Sequence, residues 1–155
     1  MPDWITVARN FDLESLRKLA TDPRIWPHIS DDHFPDPEKW KPILGELAIV
    51  LVACDRKGYF GFAIFLPRTF TTWDCHFGFL PRAGVWKAMK AMKKFFRWMW
   101  EHTEAERIVG DIASDNTQAL AFARRAGCSA YGLNPKSVKR GGVLLDQVCV
   151  GISRP

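Results

Sequence analysis

The segment Glu106–Cys128, ERIVGDIASDNTQALAFARRAGC, constrains the fold most, because a strand, a capped helix and a glycine stop follow one another in it. Ile108, Val109 and Ile112 form an apolar, β-branched run that favours a strand ending near Ala113. Ser114, Asp115 and Asn116 then offer side-chain oxygens to the open amides of a helix. Ala119, Leu120, Ala123 and Ala126 recur with helical period, and Arg124 and Arg125 suit the negative end of the helix dipole. Gly127 supplies the left-handed residue that closes the helix.

The remaining segments extend this α/β pattern. Trp4–Arg9 reads as a strand, and Asp12 caps a helix whose Leu13, Leu16 and Leu19 share a side. The stretch 22–42, rich in Pro, Asp, His and Trp, predicts an irregular loop and then a short helix between Pro37 and Leu44. Leu47–Cys54 and Tyr59–Leu66 flank Asp55-Arg56-Lys57-Gly58, the signature of an antiparallel hairpin, and Thr72–Leu80 supplies its neighbour.

Pro81–Gly84 breaks that strand. From Val85 onward, Ala88, Met89, Met92, Phe95, Phe96 and Met99 form an apolar helical stripe opposite a run of lysines. Ala130–Leu133 and Val143–Ile152 close the chain as strands around a loop holding Pro135 and Gly141-Gly142. The order is β-α-α-β-β-β-α-β-α-β-β.

At 155 residues, 47% of them hydrophobic, the chain is expected to form a single domain, 1–155, with a substantial core. Its apolar runs are too short to span a bilayer, and no basic start leads into an apolar leader, so a cytoplasmic protein without membrane contact is expected. Cys54, Cys75, Cys128 and Cys149 show no metal-ligand spacing, which argues against a structural metal and for reduced thiols. The net charge of +5 is modest, but Lys87, Lys90, Lys93, Lys94 and Arg97 concentrate positive charge on one helix. That density suits an anionic ligand, nucleic acid or a solvated face alike. Nucleic acid is disfavoured because Met92, Phe95, Phe96 and Met99 fit the core stripe rather than an exposed stacking surface.

Asn116, Ala119 and Gly127 fall at the spacing N-x2-A-x7-G. Together with the element order, this resembles the GNAT acyl-CoA-dependent N-acyltransferases, phage-encoded members in particular. The resemblance covers nearly the whole chain and implies a GNAT-like mixed, mostly antiparallel sheet flanked by helices. It also implies acetyl-CoA as co-substrate and a small-molecule or protein amine as acceptor, and it leaves oligomerisation open.

By the same resemblance the fourth strand and the helix after it bind the cofactor. The Phe79 amide, two residues before Pro81, is then the group that polarises the thioester carbonyl, and Leu80 lies beside it. Arg82, Ala83, Gly84 and Val85 form the phosphate loop, Arg82 and Lys87 add countercharge, and Asn116 either bonds the pantetheine arm or simply caps its helix. The family's Arg/Gln-x-x-Gly-x-Gly/Ala loop survives here only as Arg82-Ala83-Gly84, with Val85 and the bulky Trp86 following. A Trp at this turn either leaves the amides open or fills the cradle.

Asp74 and His76 share a strand face, and either can accept the amine's proton; His76 is favoured on its intrinsic pKa. The family's general-acid tyrosine position, seven residues after the motif asparagine, is Ala123 here. Asp31 and Asp32, in a loop with Trp26 and Phe34, either attract a cationic amine or shape a surface loop. The lost tyrosine and altered phosphate loop define the alternative reading, a non-catalytic GNAT-fold binding or assembly protein.

Overall fold

The computed structural model describes residues 4–41 and 44–155. Its strands are β1 (Thr6–Arg9), β2 (Ile49–Asp55), β3 (Gly58–Pro67), β4 (Thr72–Phe79), β5 (Arg107–Ala113), β6 (Ser129–Arg140) and β7 (Val143–Ser153). They form one seven-stranded sheet in the order β1-β2-β3-β4-β5-β7-β6. Every neighbouring pair is antiparallel except β4 with β5, which run parallel. The helices are α1 (Leu13–Ala20), α2 (Trp26–Ile29), α3 (Gly84–His102) and α4 (Thr117–Arg125). Among the described residues, no helix is long and apolar enough to cross a membrane.

Local chemistry accounts for these elements. Asp12 caps α1 by accepting the amides of Glu14 and Ser15, as its place before Leu13 requires. Asp55 and Gly58 pair across the tight β2–β3 turn, where Gly58 takes a φ of 103°, in the left-handed range open to glycine. Asp55 also accepts the Lys57 amide at 2.8 Å.

The sheet separates two cores. On one face, Met92, Phe95 and Met99 of α3 pack with Leu51, Phe60, Phe65 and Ile108, all at 2% exposure or less. On the other, Leu16, Leu19 and Ala20 of α1 pack with Ile25, Val50, Val52, Phe62 and Leu80. Burial of each large side chain contributes about 1.5–3 kcal/mol, which makes these two layers the main source of stability.

The strand alternation of β4 serves both layers. Trp73, Cys75, Phe77 and Phe79 pack against the α3 core. Gly78 faces the α1 side, where a Cβ would meet Phe62 and Ile25 at 2.8 and 2.9 Å. Asp74 and His76 share that α1-side face with Gly78 by the period of two.

Two boundaries differ from expectation. The short second helix is Trp26–Ile29 rather than a segment of 37–44. Buried Ile25 and Trp26 anchor it, and Pro27 fits the first turn, where no intrahelical amide bond is lost. Residues 37–39 form a turn instead, and residues 42 and 43 of the expected helix lie outside the described residues. β6 is far longer than Ala130–Leu133, because Pro135 falls inside an irregularity between Asn134 and Val138, after which pairing with β7 resumes. Lys136, at a φ of 50°, donates its amide there to Asp146 at 2.8 Å.

Candidate active site

The parallel pairing of β4 with β5 is short. It covers Thr72↔Arg107, Trp73↔Ile108 and Asp74↔Val109, beyond which the strands share no rung. β5 remains paired with β7 as far as Ala113↔Gln147, and β4 with β3 as far as Phe79↔Gly61. The sheet therefore opens into a wedge between the C-terminal halves of β4 and β5.

The backbone aims at this wedge. Leu80 donates its amide to the Phe60 carbonyl at 2.8 Å, on the β3 side. In an antiparallel ladder successive amides alternate sides, so the Phe79 amide points the other way, toward β5. Phe79 is held there by aromatic neighbours, with ring centroids at 6.2 Å from Phe95 and 5.6 Å from Phe122. Leu80 itself is turned from the wedge, its amide on Phe60 and its side chain buried in the α1-side core.

Beyond Leu80, a 3-10 turn (Pro81–Ala83) leads into α3. The Ala83 amide bonds the Leu80 carbonyl and the Gly84 amide bonds that of Pro81, so these expected phosphate donors are already engaged. Gly84, at φ 64° and ψ 169°, makes a bend that a side chain would strain. The amides of Val85 and Trp86, in the first turn of α3, have no intrahelical carbonyl to reach, and among the described residues no side chain caps them. They stand at the positive end of the helix dipole, an arrangement that suits an anion.

The expected countercharges are held by a residue not singled out in the sequence. Arg82 donates to both oxygens of Asp55, at 3.1 and 2.9 Å, and to the carbonyls of Gly58 and Tyr59. Lys87 donates to Asp55 at 2.6 Å. Lys87 first, and Arg82 after it, hold the Asp55 carboxyl far below the usual carboxylate range. The trio retains one net positive charge beside the helix end.

On the α1-side face at the wedge apex stand Asp74, His76 and Asp111. Arg68 grips Asp74 through two bonds of 3.0 and 2.6 Å and lies 3.6 Å from Asp111. His76 is open to solvent at its surface yet closely surrounded by protein atoms, and this crowding lowers its pKa below the ordinary 6.5, against the opposing pull of Asp74 and Asp111. The imidazole is thus neutral at pH 7. Cys75 points to the α3 face, where burial pushes its thiol up and leaves it unreactive.

No family model and no curated protein matches the sequence. Solved structures do match the fold. A spermidine N-acetyltransferase from Vibrio cholerae, solved with CoA and spermine, superposes with a TM-score of 0.78 at 14% identity, over 97% of this chain and 95% of that one. The ribosomal-protein-S5-alanine acetyltransferase of Vibrio fischeri gives 0.75 at 16% identity, over 100% and 98%. A GNAT-family acetyltransferase from Streptococcus pneumoniae gives 0.73 at 12%, over 97% and 99%.

The chain has the GNAT fold. Within the fold, Asn116 acts as helix cap, its side-chain oxygen accepting the Ala119 amide at 3.1 Å. Ala123 is buried and carries no hydroxyl. Tyr131 lies on β6 with its ring 5.1 Å from the Arg107 guanidinium, and its hydroxyl interacts with Arg68, the residue that holds Asp74. Trp86 does not fill the helix end: its side chain is 83% exposed.

The acidic loop residues are also committed. Asp31 accepts the amides of His33 and Phe34, and Asp32 accepts those of Gly141 and Gly142 at 2.8 and 2.9 Å. Asp31 thus holds a turn within the loop, and Asp32 fastens the loop to the β6–β7 turn.

Proposed function

We propose that this GNAT-fold chain is an acyl-CoA-dependent N-acyltransferase that transfers an acetyl group from acetyl-CoA to a primary amine, in the cytoplasm. The observation that carries the reading is the wedge itself, with the Phe79 amide facing it and the open amides of Val85 and Trp86 at its mouth. These donors fit a thioester oxygen and a diphosphate. The outward turn of Trp86 leaves room for both.

Acetyl-CoA supplies the activated acetyl carbon. Val85 and Trp86 bind diphosphate oxygens, and the Phe79 amide stabilises negative charge on the carbonyl oxygen as the amine attacks. His76, neutral at pH 7, removes the amine's proton, while Asp74 stays paired with Arg68 and fixes the local charge. As the C–N bond forms and the C–S bond breaks, the departing thiolate takes a proton from solvent, because Ala123 offers no hydroxyl.

Calorimetry with acetyl-CoA and an assay of amine-dependent CoA release test the reading together. Binding plus release that requires an amine supports it. An absence of heat at millimolar acetyl-CoA overturns it. The hold of Asp55 on Arg82 and Lys87 favours one rival, a GNAT-fold binding or assembly protein without turnover, which predicts no amine-dependent release.

A further inference from the structure

Arg68 gathers side chains from three strands on the α1-side face of the sheet. Its backbone is set in the turn between β3 and β4, where its amide donates to the Thr72 carbonyl at 2.9 Å. Its guanidinium grips Asp74 on β4, lies 3.6 Å from Asp111 on β5, and interacts with the hydroxyl of Tyr131 on β6. The two carboxylates stand beside His76, whereas Tyr131 comes from the edge strand of the sheet.

Two features of β6 and β7 bring Tyr131 to Arg68. Ala130 and Gly132 face the successive β7 residues Val150 and Cys149, so Tyr131 is the extra residue of a bulge. A bulge re-aims the side chain it carries. Next to it, Arg107 packs over Gly151, where a Cβ would come within 2.6 Å of Nη2 and 2.9 Å of Cζ. The same guanidinium donates to the Ser153 hydroxyl at 3.0 Å and lies 5.1 Å from the centre of the Tyr131 ring. Gly151 thus clears the space for a cation that supports the ring.

The contact with Tyr131 bears on His76. Two bonds to one carboxylate let a guanidinium tilt as that side chain tilts, and a further contact from another strand fixes its plane. Cys149 on β7 completes the titratable groups of this face, its thiol interacting with Asp111, and β3 places the apolar Ile64 opposite His76. Arg68 is the cation that touches both carboxylates, and its position decides how much of their charge reaches the imidazole.

We infer that Tyr131 is a positioning residue for the base: from the edge strand it fixes the Arg68 guanidinium against Asp74 and Asp111, and so shields the His76 imidazole from charge that would protonate it. The inference rests on the reading of His76 as the base of an acyl transfer. Tyr131 acts through Arg68 and touches neither the thioester nor the amine.

NMR titration of the His76 imidazole, with the pH–rate profile of amine-dependent CoA release, tests this in wild type, Tyr131→Phe, Arg68→Met and the double variant. The chain holds four histidines, and His76→Gln assigns the resonance. Tyr131→Phe keeps the ring beside Arg107 and removes the hydroxyl. The imidazole pKa and the acid limb of the rate are expected to rise together by about half a pH unit, a fraction of the roughly one to three units that a full neighbouring charge produces. Arg68→Met moves both farther, and adding Tyr131→Phe to it changes nothing more, because the tyrosine acts through the arginine.

Tyr131 is half exposed, and matching unfolding curves verify that Tyr131→Phe folds. An unmoved imidazole titration in Tyr131→Phe, or a further shift when it is added to Arg68→Met, overturns the inference whether or not acetyl transfer is observed. A lower rate at every pH with an unmoved acid limb marks a merely structural residue and overturns it as well. A shifted titration in a protein that releases no CoA upholds the placement of Arg68 by Tyr131 and overturns the acyl-transfer reading instead.

Discussion

Arg68 holds Asp74 through both carboxylate oxygens, at 3.0 and 2.6 Å, on the last rung that β4 shares with β5. Its guanidinium is also 3.6 Å from Asp111, so one cation spans the two strands where they begin to part. Both oxygens of this carboxylate are occupied by the guanidinium, which leaves His76 as the open acceptor. Asp74→Asn is therefore expected to lower kcat less than tenfold, and His76→Gln about a hundredfold, under saturating acetyl-CoA. The pair is partly exposed, so loss of Asp74 costs about 1 kcal/mol or less in urea unfolding. A larger kcat loss in Asp74→Asn than in His76→Gln reverses the assignment of the base.

Under the proposed mechanism, His76 sets the pH dependence of the rate. Crowding lowers its pKa below 6.5, and the base must be neutral, so the rate is full at pH 7 and falls only as pH drops through that lowered value. Arg68→Met exposes His76 to the uncompensated charges of Asp74 and Asp111, which favour the imidazolium. Its acid limb is expected to move to higher pH. The initial-rate profile of each protein checks this, and an unmoved limb rejects electrostatic control by Arg68.

Folding stability responds to the same group. The unfolded chain protonates His76 near 6.5 and the folded chain only at lower pH, so the unfolded state binds more protons between the two values. Stability is complete above about 6.5 and declines as pH falls through the window below it. In His76→Gln that part of the decline is absent. Thermal unfolding across pH 4–8 measures the difference, and parallel curves for the two proteins exclude this contribution.

Asp55 fastens the hairpin to the start of α3 and occupies both cations there, Arg82 and Lys87. Its folded pKa is depressed, by Lys87 first and then Arg82, so its stabilisation is present above the usual carboxylate range and is lost as pH falls through the folded value. Asp55→Asn is expected to cost about 1–2 kcal/mol at pH 7. It also frees Arg82 and Lys87 at the α3 start, so CoA is expected to bind about threefold to tenfold more tightly, at roughly 1 kcal/mol for a freed charge-assisted contact. Weakened CoA binding in a folded Asp55→Asn protein shows instead that the two cations need Asp55 to be positioned.

The legibility of this chain follows the range of its interactions. The Asn116 cap, the α3 stripe, the β2–β3 turn and the shared face of Asp74 and His76 depend on residues a few positions apart, and local chemistry determined them. The hold of Asp55 on Arg82 and Lys87 joins residues 27 and 32 positions apart. That of Asp32 on Gly141 and Gly142 spans 109 and 110. In the sequence these appear as free charges, and only the sheet order brings their partners together. Trp86 belongs with the local features, since it lies off the α3 stripe and the face that the core takes turns it outward.

Gly61 supplies a last test, because it makes room for the residue whose amide faces the wedge. A Cβ at Gly61 would lie 2.2 Å from Cδ1 and 2.5 Å from Cε1 of Phe79, well inside contact distance. The ring has little freedom to retreat, with Phe60, Phe77, Phe95 and Phe122 around it at centroid separations of 6.5, 6.0, 6.2 and 5.6 Å. Gly61→Ala is therefore expected to destabilise the protein by about 1–3 kcal/mol, the usual cost of overpacking, and to lower kcat by shifting the Phe79 backbone. Adding Phe79→Leu removes the clashing ring atoms, so the double variant should regain part of the lost stability relative to additivity of the single changes. Wild-type stability in Gly61→Ala, or additive effects in the pair, means that the ring moves aside freely and that the amide is held in place by other contacts.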